Sequence, residues 1–210
     1  MAEPGRSVDE RRTAVIRRRY NRNAIFYDAM DRAIREEWRR SVVGQAFGKV
    51  LEVGVGTGKN LPYYDPGRVT ELTAIDFSPA MLARARRRAH LCPVPVTLLE
   101  MDAQRMGFPD HTFDSAVATC VFCSVPDPVL GLREIRRVLK PGGMAFFLEH
   151  VRIDAPVIGT LMDLLNPISV GLTGVNINRR TVENIRRAGF EIVKEENVSG
   201  RLVKRITARA

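Results

Sequence analysis

At 210 residues, 45% hydrophobic and 27% charged, the chain has the composition of a globular protein with room for one well-buried core. Its three cysteines, Cys92, Cys120 and Cys123, are odd in number and follow no framework of spacings. They exclude a disulfide scaffold, and the C-x-x-C of Cys120 and Cys123 lacks the second ligand pair of a zinc site, so no metal is expected. A formal net charge of +9 favours anionic partners such as acidic lipid or nucleic acid, although 28 of the 33 basic residues are arginine, a bias that a GC-rich genome also produces.

The first ten residues are polar and carry Pro4 and Gly5, which reads as a loose arm without the apolar core of a signal peptide. With the cysteine usage this predicts a cytoplasmic protein. From Arg11 to Tyr27 there are six arginines (11, 12, 17, 18, 19 and 22) and no acid. Ile16 and Tyr20 lie four apart, and Tyr27, Met30, Ile34 and Trp38 succeed them at steps of three or four. This period predicts two helices, or one bent helix, between about Arg11 and Phe47. A basic helix with an apolar face suits peripheral contact with an anionic membrane surface; equally, its apolar stripe could close over a core. Residues 1–48 are therefore read as an N-terminal helical segment, a lid or membrane contact, ahead of a domain spanning 49–210.

The run Val50 to Gly58, V-L-E-V-G-V-G-T-G, organises the rest of the chain. A short apolar strand ends in glycines at alternate positions, Gly54, Gly56 and Gly58, with Glu52 just before them. Glycine lacks a Cβ and accepts positive φ, so such a turn lets backbone approach a ligand closely. The dinucleotide fingerprint G-x-G-x-x-G would place its third glycine one residue later. Lys59 to Tyr64 begins a crossover helix cut short by Pro62 and Pro66. Val69 to Ile75 is a second strand ending in Asp76, where a carboxylate can accept from two adjacent ribose hydroxyls of a bound adenosine. Ser78 and Pro79 supply an N-cap and first residue for a helix to about His90.

Val96 to Leu99 is a third strand, followed by Met101-Asp102-Ala103; Asp102 is placed either to accept from an adenine amino group or to cap a turn. Ser115 to Thr119 is strand 4, and Pro128 to Leu139 a helix with Leu132, Ile135, Val138 and Leu139 as its buried stripe, stopped by Lys140-Pro141-Gly142-Gly143. Met144 to Leu148 is strand 5, ending in Glu149-His150. Ala155 to Val175 holds a single charge, Asp163. It has the length of a membrane span, but Pro156, Pro167, Asn166 and its glycines make it a poor one, and it reads as an apolar insert over the active site. Asn178 to Ala188 is a helix, and Phe190 to Glu196 and Leu202 to Ala208 are final strands. Strands alternating with helices at this spacing predict an α/β fold with a mostly parallel sheet covered on both faces, and a ligand at the carboxyl ends of its strands.

The E-x-G-x-G-x-G turn, Asp76, Asp102 and the stretch F-D-S-A-V-A-T-C-V-F-C-S-V-P-D-P through L-R-E-I-R-R-V-L-K-P-G-G resemble class I S-adenosylmethionine (SAM)-dependent methyltransferases over about Val50 to His150. The resemblance implies a Rossmann-like, seven-stranded sheet ordered 3-2-1-4-5-7-6 with strand 7 antiparallel, and SAM as cofactor. It implies a cofactor-binding set of Glu52, Gly54, Gly56, Gly58, Asp76, Phe77, Met81, Asp102, Ala103, Thr119 and Cys120, with Tyr20 and Tyr27 closing over from the N-terminal segment. Three features narrow the subgroup. R-R-R-Y-N-R-N-A-I-F-Y-D resembles the N-terminal helix of quinone C-methyltransferases and of soluble-fold bacterial phosphatidylethanolamine N-methyltransferases. L-E-H-V and G-V-N-I-N-R-R-T look more like the phospholipid enzymes, and C-S-V with L-E-H-V also resembles mammalian alkyl-thiol methyltransferases.

All three groups take greasy acceptors, and phosphatidylethanolamine is the first expectation, with a demethylated quinone or hydrophobic thiol as alternatives. His150 and Glu149 are the candidate proton acceptors or hydrogen-bond partners for an amine acceptor. A nicotinamide oxidoreductase would share the sheet, but the shortened glycine spacing and Asp102 speak against it. A nucleic-acid partner would explain the charge. Against it, the basic residues are scattered and the insert is apolar where a stacking groove should be charged.

Overall fold

The computed structural model describes residues 34–210. The Arg11 to Arg22 run, Tyr20 and Tyr27 lie outside the described residues. In chain order the elements are α1 (Glu36–Val43), β1 (Gly48–Val53), β2 (Val69–Asp76), α2 (Pro79–Arg88), β3 (Val96–Glu100), β4 (Phe113–Thr119), α3 (Pro128–Val138), β5 (Leu139–His150), α4 (Pro156–Thr173), α5 (Thr181–Arg187), β6 (Glu191–Ser199) and β7 (Val203–Arg209).

The strands form one sheet in the order β3-β2-β1-β4-β5-β7-β6. The pairs β1/β2, β1/β4, β2/β3 and β4/β5 are parallel, and β7 runs antiparallel to both β5 and β6. This is the Rossmann-like order expected from the sequence. The central strands read as unbroken apolar runs because both faces are covered. Leu51, Val53, Ala116, Ala118, Ala145 and Phe147 point to a core completed by α3 and α5 through Leu132, Ile135, Val138 and Ile185. Val50, Val117, Phe146 and Leu148, one residue out of phase, point to the opposite core, completed by Val42 and Val43 of α1 and Leu82 and Ala85 of α2. The period of two also separates two acids, since Glu52 shares the face of Val50 and Glu149 the face of Phe147.

Local signals account for the starts of two helices. Ser78 Oγ accepts from Met81 N and Pro79 opens α2. Asp127 Oδ1 accepts from Leu130 N and Pro128 opens α3. Two expectations are corrected. Lys59 to Tyr64 forms only a single 3-10 turn, Leu61–Tyr63, with Pro62 inside it, because two prolines four apart leave no room for a full α turn. Lys140-Pro141-Gly142-Gly143 does not cap α3, which ends at Val138. It lies within β5, between the pairs Phe113↔Leu139 and Ser115↔Met144, where the register shifts, and Gly142 takes φ 75° there.

The apolar stretch after β5 is the helix α4, 18 residues long with Pro167 inside it. Among the described residues no helix is long and apolar enough to cross a membrane.

Candidate functional site

A cleft opens over the carboxyl ends of β1, β2, β4 and β5. Its floor is the Gly54 to Thr57 turn, one wall is Ile75 to Phe77 with Met81 and Met101 to Gln104, and the other is Thr119 to Val121 with Cys123 to Pro126, His150 and Val175. The glycine turn is fixed by sterics. Gly54 sits at φ 69°, and a Cβ there would lie 2.5 Å from Val121 Cγ2, so only glycine lets the β4 wall close against the β1 turn.

Asp76 ends β2 inside this floor, 6% exposed. Its Oδ2 accepts from Gly56 N at 2.9 Å and its Oδ1 from Ser78 N at 2.9 Å. Burial pushes the carboxyl up to about 6, against the lowering effect of those two backbone donors. Each oxygen keeps a further lone pair, the requirement for holding two neighbouring hydroxyls.

Beneath the floor lies a chain of buried polar groups. Arg39 Nη1 donates to Asn60 Oδ1 at 3.0 Å. Asn60 Nδ2 donates to Glu52 Oε1 at 2.9 Å and to Thr119 Oγ1 at 3.0 Å. Tyr64 OH donates to Glu52 Oε2 at 2.9 Å. Glu52 is 1% exposed; burial raises it to about 7, while the Tyr64 and Asn60 hydrogen bonds and the charge of Arg39 pull it down. Arg39, Asn60 and Thr119 line the cleft and Glu52 does not. The expectation that Glu52 faces a ligand is thus corrected: it holds Asn60 and Tyr64, which in turn set the floor.

Gly54, Gly56, Asp76, Phe77, Met81, Asp102, Ala103, Thr119, Cys120 and His150 are brought together around the cleft as expected. Gly58 is not. At φ 81°, its missing Cβ makes room for Leu61 and for Ala85 of α2, so it packs helix against turn and touches no ligand space. Asp102 Oδ1 accepts from Gln104 N at 2.9 Å, so it caps its turn while lining the cleft. Glu149 is also corrected as a candidate proton acceptor. It is fully buried, faces away from the cleft, and its Oε1 accepts from Val121 N at 2.9 Å and Phe122 N at 3.2 Å. Burial raises it to about 8 against those two donors, and among the described residues Oε2 has no hydrogen-bond partner. Glu149 therefore braces the turn whose Val121 packs on Gly54.

Sequence reasoning missed Arg39, Asn60 and the Val121 to Pro126 wall. Arg39 sits beside Trp38 on a helix read by its apolar period, which says nothing of its polar face. Asn60 follows the glycine turn at G-T-G-K-N, and a polar side chain two residues past a ligand turn was the available signal. Cys120, at φ 56°, turns the chain sharply out of β4; a strained non-glycine residue at a strand end is a common mark of a functional wall.

Comparison with known proteins decides what family this cleft belongs to. Residues 51–147 match the family described as a methyltransferase domain. The chain is 41% identical over 144 residues to a phosphatidylethanolamine N-methyltransferase of Cereibacter sphaeroides, covering 66% of this chain and 70% of that one. The chain belongs to the SAM-dependent methyltransferases. It is also 32% identical over 153 residues to the thiol S-methyltransferase TMT1B of Rattus norvegicus, covering 70% of this chain and 62% of the relative. With a demethylmenaquinone methyltransferase of Thermus thermophilus it shares 39% identity over 119 residues, covering 53% of each. It thus spans less than two thirds of the last two. A solved SAM-dependent methyltransferase from Thermotoga maritima superposes with a TM-score of 0.66 at 22% identity, over 91% of this chain and 98% of that one. Membership in the methyltransferase family makes SAM the cofactor and closes the nicotinamide alternative.

Proposed function

We propose that this methyltransferase acts on an amphiphilic, lipid-like acceptor, with the amine of phosphatidylethanolamine foremost. The observation that carries the reading is the composition of the cleft. At one end it offers Asp76, Asn60 and Arg39; at the other, Val121, Cys123, Val125, Pro126 and Val175 make an apolar wall with His150 at its edge. A small polar acceptor would leave that wall wetted to no purpose, whereas a hydrophobic acceptor buries it. The 41% identity with a phosphatidylethanolamine enzyme supports the nitrogen acceptor over sulfur or carbon.

The residues present fit SAM. Asp76 would hold the ribose hydroxyls, and Ile75, Phe77 and Met101 to Ala103 would form the adenine slot. Gly54 and Gly56 would admit the methionine portion, with Arg39 and Lys59 the cations that line the cleft. Tyr20 and Tyr27 would close over it from the N-terminal segment. When bound, SAM supplies a methyl carbon made electrophilic by a sulfonium. The chain itself would contribute position: the braced Val121 wall and the Asp76 floor would orient donor and acceptor, and orientation is where most of the rate of an in-line transfer arises. A phosphatidylethanolamine amine is protonated near neutrality, as an unperturbed alkylamine is. His150 lines the cleft and would take that proton; Glu149, buried and not among the lining residues, would not. The arginines between Arg11 and Arg22 would hold lipid phosphates at an anionic surface, peripherally.

The test is transfer of labelled methyl from SAM to vesicles of phosphatidylethanolamine, a demethylated quinone and an alkyl thiol. Label in mono- and dimethylated phosphatidylethanolamine is the expected result; label only in the quinone or thiol overturns the nitrogen assignment. Replacing His150 with Ala is expected to lower turnover by roughly 100-fold, the usual size of a proton-transfer contribution, while SAM affinity changes little. Unchanged turnover removes His150 from proton transfer.

A further inference from the structure

The helix α4 is built inside out. A helix on the surface of a globular protein turns its apolar stripe inward. Here Val157, Ile158, Leu161, Leu164, Leu165, Ile168 and Leu172 are all exposed, Val157 at 81%, Leu164 at 73% and Leu172 at 71%. Their spacing of i, i+1, i+4, i+7, i+8, i+11 and i+15 puts them on one face. The inward face carries Gly159 and Met162 and then polar residues. Asn166 Nδ2 donates to Asn176 Oδ1 at 3.2 Å and its Oδ1 accepts from Ile177 N at 3.0 Å. Ser169 Oγ donates to Val175 O at 2.9 Å. The 18 residues of this helix make a stripe about 27 Å long at 1.5 Å per residue. A contiguous apolar surface of that extent marks a partner.

Resting on the reading of a lipid-like acceptor, we propose that α4 is an in-plane membrane-docking helix, its apolar face immersed in the outer part of an anionic bilayer so that the cleft mouth meets the lipid. Charge selects this occupant over a second copy of the chain. With a net charge of +9 two copies repel, whereas an anionic surface attracts the chain. The one acid on α4, Asp163, is held by Arg152 at 2.8 Å and by Asn178 at 3.0 Å, so the helix offers no unpaired negative charge to the headgroups. An in-plane helix settles about 5–10 Å into the headgroup and acyl boundary.

The docking face is tied to the site. Val175, two residues past the end of α4, lines the cleft. Asn176 N and Nδ2 both donate to Cys123 O, at 2.9 and 3.0 Å, fastening the end of the helix to the apolar wall. An acceptor drawn sideways from the bilayer along α4 would reach that wall with its chains still in lipid.

The experiment is co-sedimentation of the full chain with vesicles of phosphatidylcholine mixed with phosphatidylglycerol, comparing the natural sequence with a Leu164→Asp, Ile168→Asp double variant. Since the variant withdraws two large aliphatic side chains from lipid and adds two negative charges, the partition coefficient should fall roughly tenfold or more, with thermal stability and SAM affinity unchanged. In case the double variant misfolds, Leu164→Trp in a Trp38→Phe background gives a second readout, quenching of its emission by brominated acyl chains. Undiminished binding of a folded double variant, or an unquenched Trp at 164, overturns the proposal. A dimer that becomes monomeric in the variant assigns the face to a second copy instead, and a lowered melting temperature without change in vesicle binding assigns it to the chain's own N-terminal segment. Methyl transfer to a short-chain, water-dispersed phosphatidylethanolamine is measured in parallel: its presence with failed docking refutes only the docking helix, and its absence refutes the acceptor reading.

Discussion

Asp76 offers the sharpest test of the cofactor floor. Its carboxyl titrates at about 6 because burial outweighs the Gly56 and Ser78 donors, so roughly one tenth is ionised at pH 5 and nine tenths at pH 7. If the ionised form is what accepts from ribose hydroxyls, SAM affinity should weaken about tenfold between pH 7 and pH 5. In Asp76→Asn one oxygen becomes an amide nitrogen, which cannot accept from Gly56 N or Ser78 N. One buried N–H is then orphaned, costing about 1–3 kcal/mol, and a charge-assisted bond to the ligand worth a similar amount is lost. The orphaned N–H lowers stability, while the lost bond predicts SAM binding weaker by roughly 5- to 150-fold at pH 7, with the pH dependence gone. The stability signs are also set. The folded carboxyl is raised above its unfolded value of 3.8, so its contribution to stability is fully present below that value and is lost as pH rises through about 6. Isothermal titration with SAM from pH 5 to pH 8, on both proteins, measures the affinities and their pH dependence. An Asn variant that binds within about threefold of the natural protein, or that keeps the same pH profile, refutes the assignment.

Other perturbations separate bracing from binding. Glu149→Ala orphans the N–H groups of Val121 and Phe122 and should destabilise by about 1–3 kcal/mol, read as a lowered melting temperature. Glu149→Gln keeps an acceptor in a group that is neutral in both states, so it should lie near the natural protein at about pH 4 and above it in stability at pH 7. Since burial raises the folded Glu149 carboxyl from 4.5 to about 8, the natural protein should lose stability as pH rises from about 4.5 to 8 and level off above, while the Gln variant does not; equal profiles across that range would count against the buried, neutral carboxyl. Gly58→Ala meets Ala85 Cα at 3.1 Å with φ at 81° and should lower stability by about 1–3 kcal/mol while leaving SAM affinity of the folded protein intact. A selective loss of SAM affinity in that variant would return Gly58 to the cofactor set.

The strands themselves, the glycine turn, Asp76 and the apolar character of Ala155 to Val175 were legible in the sequence because each has a local cause, whereas the strand order was implied by the family resemblance. Unbroken apolar runs announce strands covered on both faces, alternate glycines announce a close approach, and Ser78-Pro79 and Asp127-Pro128 announce helix starts. The tertiary structure alone decided which acids face ligand. Glu52, Asp76 and Glu149 all sit at or near strand ends, and a period-two pattern places Glu52 and Glu149 on opposite faces without saying what lies opposite. Glu52 meets Asn60 and Tyr64, Glu149 meets the backbone of Val121 and Phe122, and only Asp76 of the three opens to the cleft. Arg39 entered the site for the same reason, through contact with Asn60, 21 residues away. The apolar character of Ala155 to Val175 was plain from composition. That its apolar side faces out comes from Asn166 and Ser169 finding their partners in the loop after the helix, a choice made by hydrogen bonds that exist only once the chain has folded back on itself.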